Sequence, residues 1–194
     1  MSNWGATDAD ESKPKYLTTA QQKEVFASAR GWEVEAGSKQ TGNGRTTADS
    51  EVLVAMSSLA TKVGAADITE IEWITTAADK SAGFTLSALV RFNESVDVTG
   101  TPQVSVTNGN EGTGTGRGPH LLSYASGTGS NELTFSLVVA AADAATNADD
   151  VLSIGANALG LNSGTIKDAG TSTVSTITSV AGIGTAAGTL TVVA

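Results

Sequence analysis

The sequence predicts a mainly all-β protein whose second half forms a β-sandwich, and three observations lead to that prediction. Residues 84–92 and 133–139 alternate apolar with mostly polar side chains, which is the period of a half-buried strand. Glycine-rich turns separate these segments from shorter strand-like ones, as they do in sandwiches. Only 16% of the residues are charged, so Ser, Thr and Asn must cover much of the surface, and outward sheet positions tolerate them.

The other strands of the second half are shorter. The turn at 126–131 joins a strand that begins at Leu122 to the strand at 133–139, which predicts a hairpin. Residues 108–119 form a glycine-rich loop, and residues 140–148 are compatible with a helical turn. Further strands are expected at 103–107, 151–154, 158–161, 174–178 and 190–193.

The first half begins with residues 1–20, which we expect to be extended because Pro14 disfavours helix for the residue before it. One or two helical turns are expected within 18–30, where Thr19 offers a cap and helix-forming residues follow. Strands are expected at 32–34, 51–56 and 68–74.

A turn at 79–83 marks the predicted boundary between the halves. Three parts follow from it: an extended anchoring arm, a β-rich region for partner binding or oligomerisation, and the sandwich. Their residues are 1–20, 21–82 and 83–194, respectively.

Charge and composition argue against several classes of protein. The net charge of −9 repels polyanions, so neither a nucleic-acid partner nor an anionic membrane surface is expected. Without cysteine there is no disulfide framework, thiolate metal site or thiol nucleophile. No window of about 18 uninterrupted apolar residues occurs, and the N-terminus lacks the pattern of a signal peptide, so neither a membrane span nor export by that signal is expected.

Aromatic and apolar side chains in the arm are the candidate partner-binding residues. They are Trp4, Pro14, Tyr16 and Leu17, and exposed aromatics in a polar segment suit docking onto another protein. Packing of this segment on its own domain is the other interpretation, and both stay open. For Trp32 and Trp73 we expect positions in the core.

No catalytic arrangement stands out. His120 is the only histidine and follows Pro119, so a loop or strand-edge role is favoured over a Ser-His-Asp relay. The loop 109–118 is rich in glycine but lacks the Lys-Ser/Thr ending and the helix of a P-loop. Nothing singles out a carboxylate pair for glycoside hydrolysis among the 20 acids. We therefore expect a non-enzymatic protein with no catalytic residue and no cofactor.

Four aspartates are candidate Ca²⁺ ligands, because hard cations bind several carboxylate or carbonyl oxygens. Their spacing matches no EF-hand, so solvated turn aspartates are favoured and no metal site is expected. The four are Asp143, Asp149, Asp150 and Asp168.

Three stretches of the second half follow one another in the order found in a known family of repeats. They are Val90-Arg-Phe-Asn-Glu-Ser-Val-Asp-Val-Thr-Gly-Thr-Pro-Gln-Val104, Tyr124-Ala-Ser-Gly-Thr-Gly-Ser-Asn-Glu-Leu-Thr-Phe135 and Leu161-Asn-Ser-Gly-Thr-Ile-Lys-Asp168. Together they resemble the Ig-like repeats of large bacterial surface and adhesin proteins, over roughly residues 83–170. The resemblance implies an Ig-like sandwich. The loop 108–119 is longer and richer in glycine than the family pattern, and a Thr/Ser/Gly tail follows Asp168.

Three short motifs occur in the first half: Asn3-Trp4-Gly5, Lys13-Pro14-Lys15-Tyr16-Leu17 and Gly31-Trp32-Glu33-Val34. They resemble structural proteins of tailed bacteriophages of marine bacteria, especially cyanophages. This resemblance implies a virion structural protein, a capsid decoration or cement protein on the capsid surface. Its implied partners are the major capsid protein or other virion proteins, and a homo-oligomer such as a trimer would suit a repetitive lattice.

Two other hypotheses belong to different classes. A carbohydrate-binding or host-adhesion module on the tail or fibre predicts an exposed aromatic or polar cleft. An enzyme such as a polysaccharide depolymerase predicts a clustered acid pair in a cleft, and it is the least favoured of the three.

Overall fold

A computed structural model of the chain describes residues 13–38, 44–109, 118–143 and 145–194. Strands dominate these ranges, so the all-β fold class is confirmed. The Ig-like arrangement of the sandwich stays a prediction. No helix in the described ranges is long and apolar enough to cross a membrane.

Two short α-helices, a 3₁₀ turn at Leu59–Thr61 and twelve strands make up the described elements. In chain order they are α1 (Thr19–Lys23), β1 (Val25–Ala27), β2 (Gly31–Val34), β3 (Glu51–Ala55), β4 (Ile68–Trp73), β5 (Ala78–Asp79), β6 (Phe84–Thr99), β7 (Gln103–Asn108), β8 (His120–Ser126), β9 (Ser130–Val139), β10 (Val151–Gly160), β11 (Thr165–Asp168), α2 (Ala181–Thr185) and β12 (Thr189–Val193).

Strand β6 is the axis of the molecule. The hydrogen-bonded order is β3-β2-β1-β6-β9-β8-β7-β10-β12-β5, and β4 and β11 also pair with β6. β8 and β9 form the predicted hairpin. Off this path, the Trp73 Nε1 of β4 donates to the Gly188 carbonyl before β12 at 3.2 Å. This bond brings β4 close to the strand β12, far from it in the sheet order.

That larger core is lined by the inward positions of the alternating strands. In β6 these are Leu86, Ala88, Val90 and Phe92, and in β9 they are Leu133, Phe135 and Val139, as the alternation predicted. β4 and β5 add Ile68, Ile71 and Ala78 to the same core. We call residues 66–193 the β domain.

A second, smaller core lies under β1–β3. It contains Val25, Ala27, Trp32, Val34 and Leu59, all at most 1% exposed. We call residues 13–63 the N-terminal unit. The division between the two cores therefore lies near Gly64, whereas the sequence analysis placed the boundary at 79–83.

The N-terminal helix is shorter than the 18–30 window allowed. Thr18 and Gln21 form a capping box, in which each side chain bonds the other residue's backbone N–H. The helix ends at Lys23, and the following Val25–Ala27 is a strand, consistent with the β preference of β-branched and aromatic residues.

Three further differences concern the C-terminal third. The expected strands at 151–154 and 158–161 are one strand, β10, with an irregularity between Ile154 and Leu159. The expected strand at 174–178 is absent, and only isolated bridges occur at Val174 and Thr176. Strand β11 was not predicted.

Candidate functional site at the junction of the two units

The arm prediction falls partly on described residues. Trp4 lies outside the described ranges. Pro14 is buried and Leu17 packs against the smaller core, while Tyr16 is 69% exposed. Lys13 Nζ donates to the Gln22 carbonyl of α1. Pro14 and Leu17 therefore anchor this segment on its own unit and leave the Tyr16 ring projecting; its binding to a partner stays a prediction.

The densest polar cluster of the described chain surrounds Arg91, in the middle of β6. Its guanidinium contacts four glutamates that come from three separate segments of the chain. The contacts are Nε to Glu35 at 3.0 Å, Nη1 to Glu70 at 2.7 Å, Nη1 to Glu72 at 2.6 Å and Nε to Glu132 at 2.8 Å. We call these five residues the Arg91 clamp.

The strand register explains how the clamp assembles. Arg91 pairs with Glu70 of β4 on one side and with Glu132 of β9 on the other. Directly paired residues point to the same face of a sheet, so all three side chains meet outside the larger core. Glu35, which follows β2, approaches from the N-terminal unit. The clamp therefore ties the two units together through side chains.

Further polar bonds reinforce this contact. Lys23 of α1 pairs with Glu70 at 3.2 Å, and Asn131 Nδ2 donates to Glu35 at 2.7 Å. The Thr69 hydroxyl donates to the Lys23 carbonyl at 3.3 Å. Each of these bonds joins the N-terminal unit to the β domain.

The clamp holds more carboxylates than cations. Burial raises the pKa of Glu35 to about 8, and its hydrogen bond with Glu132 acts in the same direction, against the attraction of Arg91. Burial alone would lower the pKa of Arg91, but the neighbouring carboxylates, Glu35 foremost, raise it above its usual value. Near neutral pH the proton held by Glu35 relieves part of the excess negative charge.

Lys13 lies beside this cluster. Burial lowers the pKa of its ammonium to about 8, although Glu35 and Glu70 oppose that shift. The bond to the Gln22 carbonyl holds this group against α1.

His120 begins β8 and is buried, which agrees with the strand-edge interpretation. Its Nε2 lies 3.1 Å from the Thr146 hydroxyl, and burial lowers its pKa. The glycine-rich loop prediction falls largely outside the described residues. Trp32 is buried and Trp73 packs against the larger core, as predicted.

Of the four candidate aspartates, Asp143, Asp149 and Asp150 lie between β9 and β10, whereas Asp168 lies on β11. Asp143 accepts from the Ala145 N–H at 2.8 Å, and Asp150 accepts from Asn108 Nδ2 and the Asn147 N–H, both at 2.7 Å. Asp168, in β11, accepts from the Thr171 hydroxyl at 2.9 Å. Asp150 and Asp168 are buried, so the expectation that they are solvated turn aspartates is wrong for these two residues. Over the ranges that the structure covers, no group of three or more His, Asp or Glu side chains is placed to hold a metal.

Sequence reasoning missed the Arg91 clamp. Its members are separated by up to 97 positions, from Glu35 to Glu132, so no local spacing announces it. The one available signal was Arg91 itself, a cation flanked by Val90 and Phe92 in an otherwise uncharged strand segment.

Comparisons with protein-family models, with curated proteins and with solved structures find no match for this chain. The functional conclusion therefore depends on the residues and their geometry, together with the resemblances given above.

Proposed function

We propose that the chain is a virion structural protein, a capsid decoration or cement protein of a tailed bacteriophage. One observation carries the proposal: a small unit with an exposed aromatic, Tyr16, is fastened rigidly to a larger β domain by the Arg91 clamp. That arrangement suits a protein with one end for anchoring and one end for projection.

The clamp supports a structural rather than a catalytic role. A polysaccharide depolymerase needs a pair of acidic side chains that are free to exchange protons with a substrate. Glu35 and Glu132 form an acid pair, but both contact Arg91 within 3.0 Å. Their arrangement therefore suits holding two units in register.

In this proposal the N-terminal unit binds the head lattice through Tyr16 and the residues before Lys13. Aromatic side chains dominate interface energetics because they bury a large area at a small cost in conformational entropy. The β domain then projects from the capsid or contacts a neighbouring subunit.

The test is co-sedimentation of the purified protein with phage heads that lack it. We expect saturable binding by the full chain and a loss of roughly tenfold or more in affinity for Tyr16→Ala, as for an interface hot spot. Val138→Ala is the matched control, since Val138 of β9 is 74% exposed but lies on the β domain.

Absence of binding by the full chain would overturn the head-decoration proposal. Equal binding by the two variants would instead overturn the role of Tyr16 in anchoring.

A second candidate, a carbohydrate-binding or host-adhesion module, is favoured by one feature of the β domain. A shallow groove of ≈ 300 Å³ is lined by uncharged groups that include Gln103, Ser105, Leu121 and Asn162. Amides and hydroxyls can hydrogen-bond sugar hydroxyls, although the groove lacks an aromatic platform. Titration calorimetry with neutral oligosaccharides tests this, and binding weakened by Gln103→Ala would favour it.

A further inference from the structure

A second buried charge lies three residues beyond Arg91 on the same strand. Glu94 is 0% exposed, and neither of its carboxylate oxygens has a hydrogen-bond partner among the residues that the structure describes. A buried carboxyl without a partner is costly, and its ionised form is far more so. Such a group calls for an explanation other than stability.

The position of Glu94 is where the backbones of the two units meet. β1 pairs in parallel with β6 through Ala27 and Glu94. On its other side Ala27 pairs with Trp32 of β2. Glu94, Ala27 and Trp32 therefore form one row across three strands, which we call the junction row.

The two ends of the junction row are chemically complementary. Trp32 is 1% exposed, and its indole Nε1 also has no partner within the described ranges. Paired residues point to the same face, and two strand spacings separate the ends by about 10 Å between Cα atoms. The small Ala27 side chain lies between them, so one water above it could accept from the indole N–H and donate to the carboxyl.

The charged groups acting on Glu94 are both acids. Asp168 lies on β11, which pairs with the end of β6, and Asp67 precedes β4. Burial raises the pKa of Glu94 to about 8, and Asp168 and Asp67 add to the rise. The ionised fraction therefore climbs from about 1% at pH 6 to about 90% at pH 9.

We propose that the junction row is a protonation-dependent latch between the N-terminal unit and the β domain. Protonated Glu94 stays inside the row, bridged to the Trp32 indole by one water. Ionised Glu94 turns toward water, and β1 and β2 separate locally from β6. The Arg91 clamp keeps the unit tethered, so the opening exposes Trp32 without detaching the unit.

The first test uses Trp32 as its own reporter in a Trp4→Phe, Trp73→Phe background. We expect acrylamide quenching of Trp32 fluorescence to rise at least about twofold between pH 6 and pH 9, with a midpoint near the pKa of Glu94. Glu94→Gln should keep the low quenching at all these pH values. Glu35→Gln is the matched control, because it removes the other high-pKa carboxyl of the junction but leaves the row intact, so the transition should persist.

A flat profile in the parent protein, or the same transition in Glu94→Gln, would overturn the latch. If Glu94→Gln does not fold, ¹³C NMR titration of the Glu94 carboxyl in the parent protein decides the question. A midpoint near pH 8 is expected, and Trp32→Phe, which removes the indole partner of the protonated carboxyl, should lower it by about one unit, because the ionised form has left the row. A midpoint near the ordinary glutamate value, or no change in Trp32→Phe, would contradict the proposal.

Discussion

Arg91 and Glu94 lie on one strand, both at the contact between the two units, yet they are buried in opposite ways. Arg91 contacts four carboxylates, whereas Glu94 has no hydrogen-bond partner within the described ranges. The difference follows from the faces of β6. Arg91 lies on the face that also carries Glu70 and Glu132, while Glu94 continues the inward series of Phe92.

Burial alone therefore does not set the role of a charged residue. A buried charge with several partners resists removal, because its loss leaves those partners unpaired. A buried carboxyl without partners stays buried only while it is protonated, because burial disfavours its ionised form. The first arrangement fixes a junction, and the second makes it respond to pH.

Arg91→Met should produce the largest effect. It leaves Glu35, Glu70, Glu72 and Glu132 close together without their shared cation, so we expect a loss of roughly 4 kcal/mol in the free energy of unfolding at pH 7. Urea denaturation followed by circular dichroism measures it. Lys62→Met is the control, because the Lys62 ammonium bonds a backbone carbonyl outside the clamp, that of Ser57. A loss under about 1 kcal/mol for Arg91→Met would show that the clamp does not fasten the two units together.

Glu94→Gln should have the next largest effect, and its sign depends on pH. In the parent protein the folded state keeps the Glu94 proton up to about pH 8, whereas the unfolded chain loses it near pH 4.5. Stability should therefore fall as pH rises through that window, by about 3 kcal/mol between pH 5 and pH 7.5. Glu94→Gln should remove this contribution in urea denaturation series and leave the separate contribution of Glu35, whose pKa is also about 8; an unchanged slope would contradict burial of the protonated form.

Leu17→Ala should lower the free energy of unfolding by about 1 kcal/mol, since Leu17 is half-buried against the smaller core. Tyr16→Ala should change the free energy of unfolding by less than about 0.5 kcal/mol, because that ring is largely exposed. Thermal denaturation of the pair separates anchoring on the protein's own unit from binding to a partner. Equal losses would mean that Tyr16 also packs on the unit.

Glu132→Gln should have the smallest effect on stability but a clear one on titration. The change removes the carboxylate that shares a hydrogen bond with protonated Glu35, so the pKa of Glu35 should fall from about 8 by about one unit or more. A ¹³C NMR titration of the Glu35 carboxyl measures this. The pKa of Glu94 should not move, which makes it the internal control.

Local patterns predicted much of the β domain. The alternation in β6 and β9 correctly identified the inward residues, because a period of two leaves little choice of face. The failures lie where tertiary pairing decides the structure. Val25–Ala27 follows a helical turn but pairs with β2 and β6, and β11 is a strand because its four residues pair with Thr99 to Val96.

The two buried charged residues differ in how well the sequence alone could identify them. Glu94 carries a local signal, since it shares the inward parity of Phe92 and Val96 and is thus a glutamate on an apolar face. The Arg91 clamp carries almost none, because Glu35, Glu70 and Glu132 meet only once the two units have docked. Periodicity describes one strand at a time, and the clamp belongs to four segments.

The length of β6 has a mechanical consequence. Its sixteen residues are hydrogen-bonded along their course to β1, β4, β9 and β11, and both contacts with the N-terminal unit fall near its middle. Tension applied to that unit would enter the β domain at the centre of its longest strand and spread as shear over several ladders of hydrogen bonds. Such tension would then strain the junction first and leave the β domain folded.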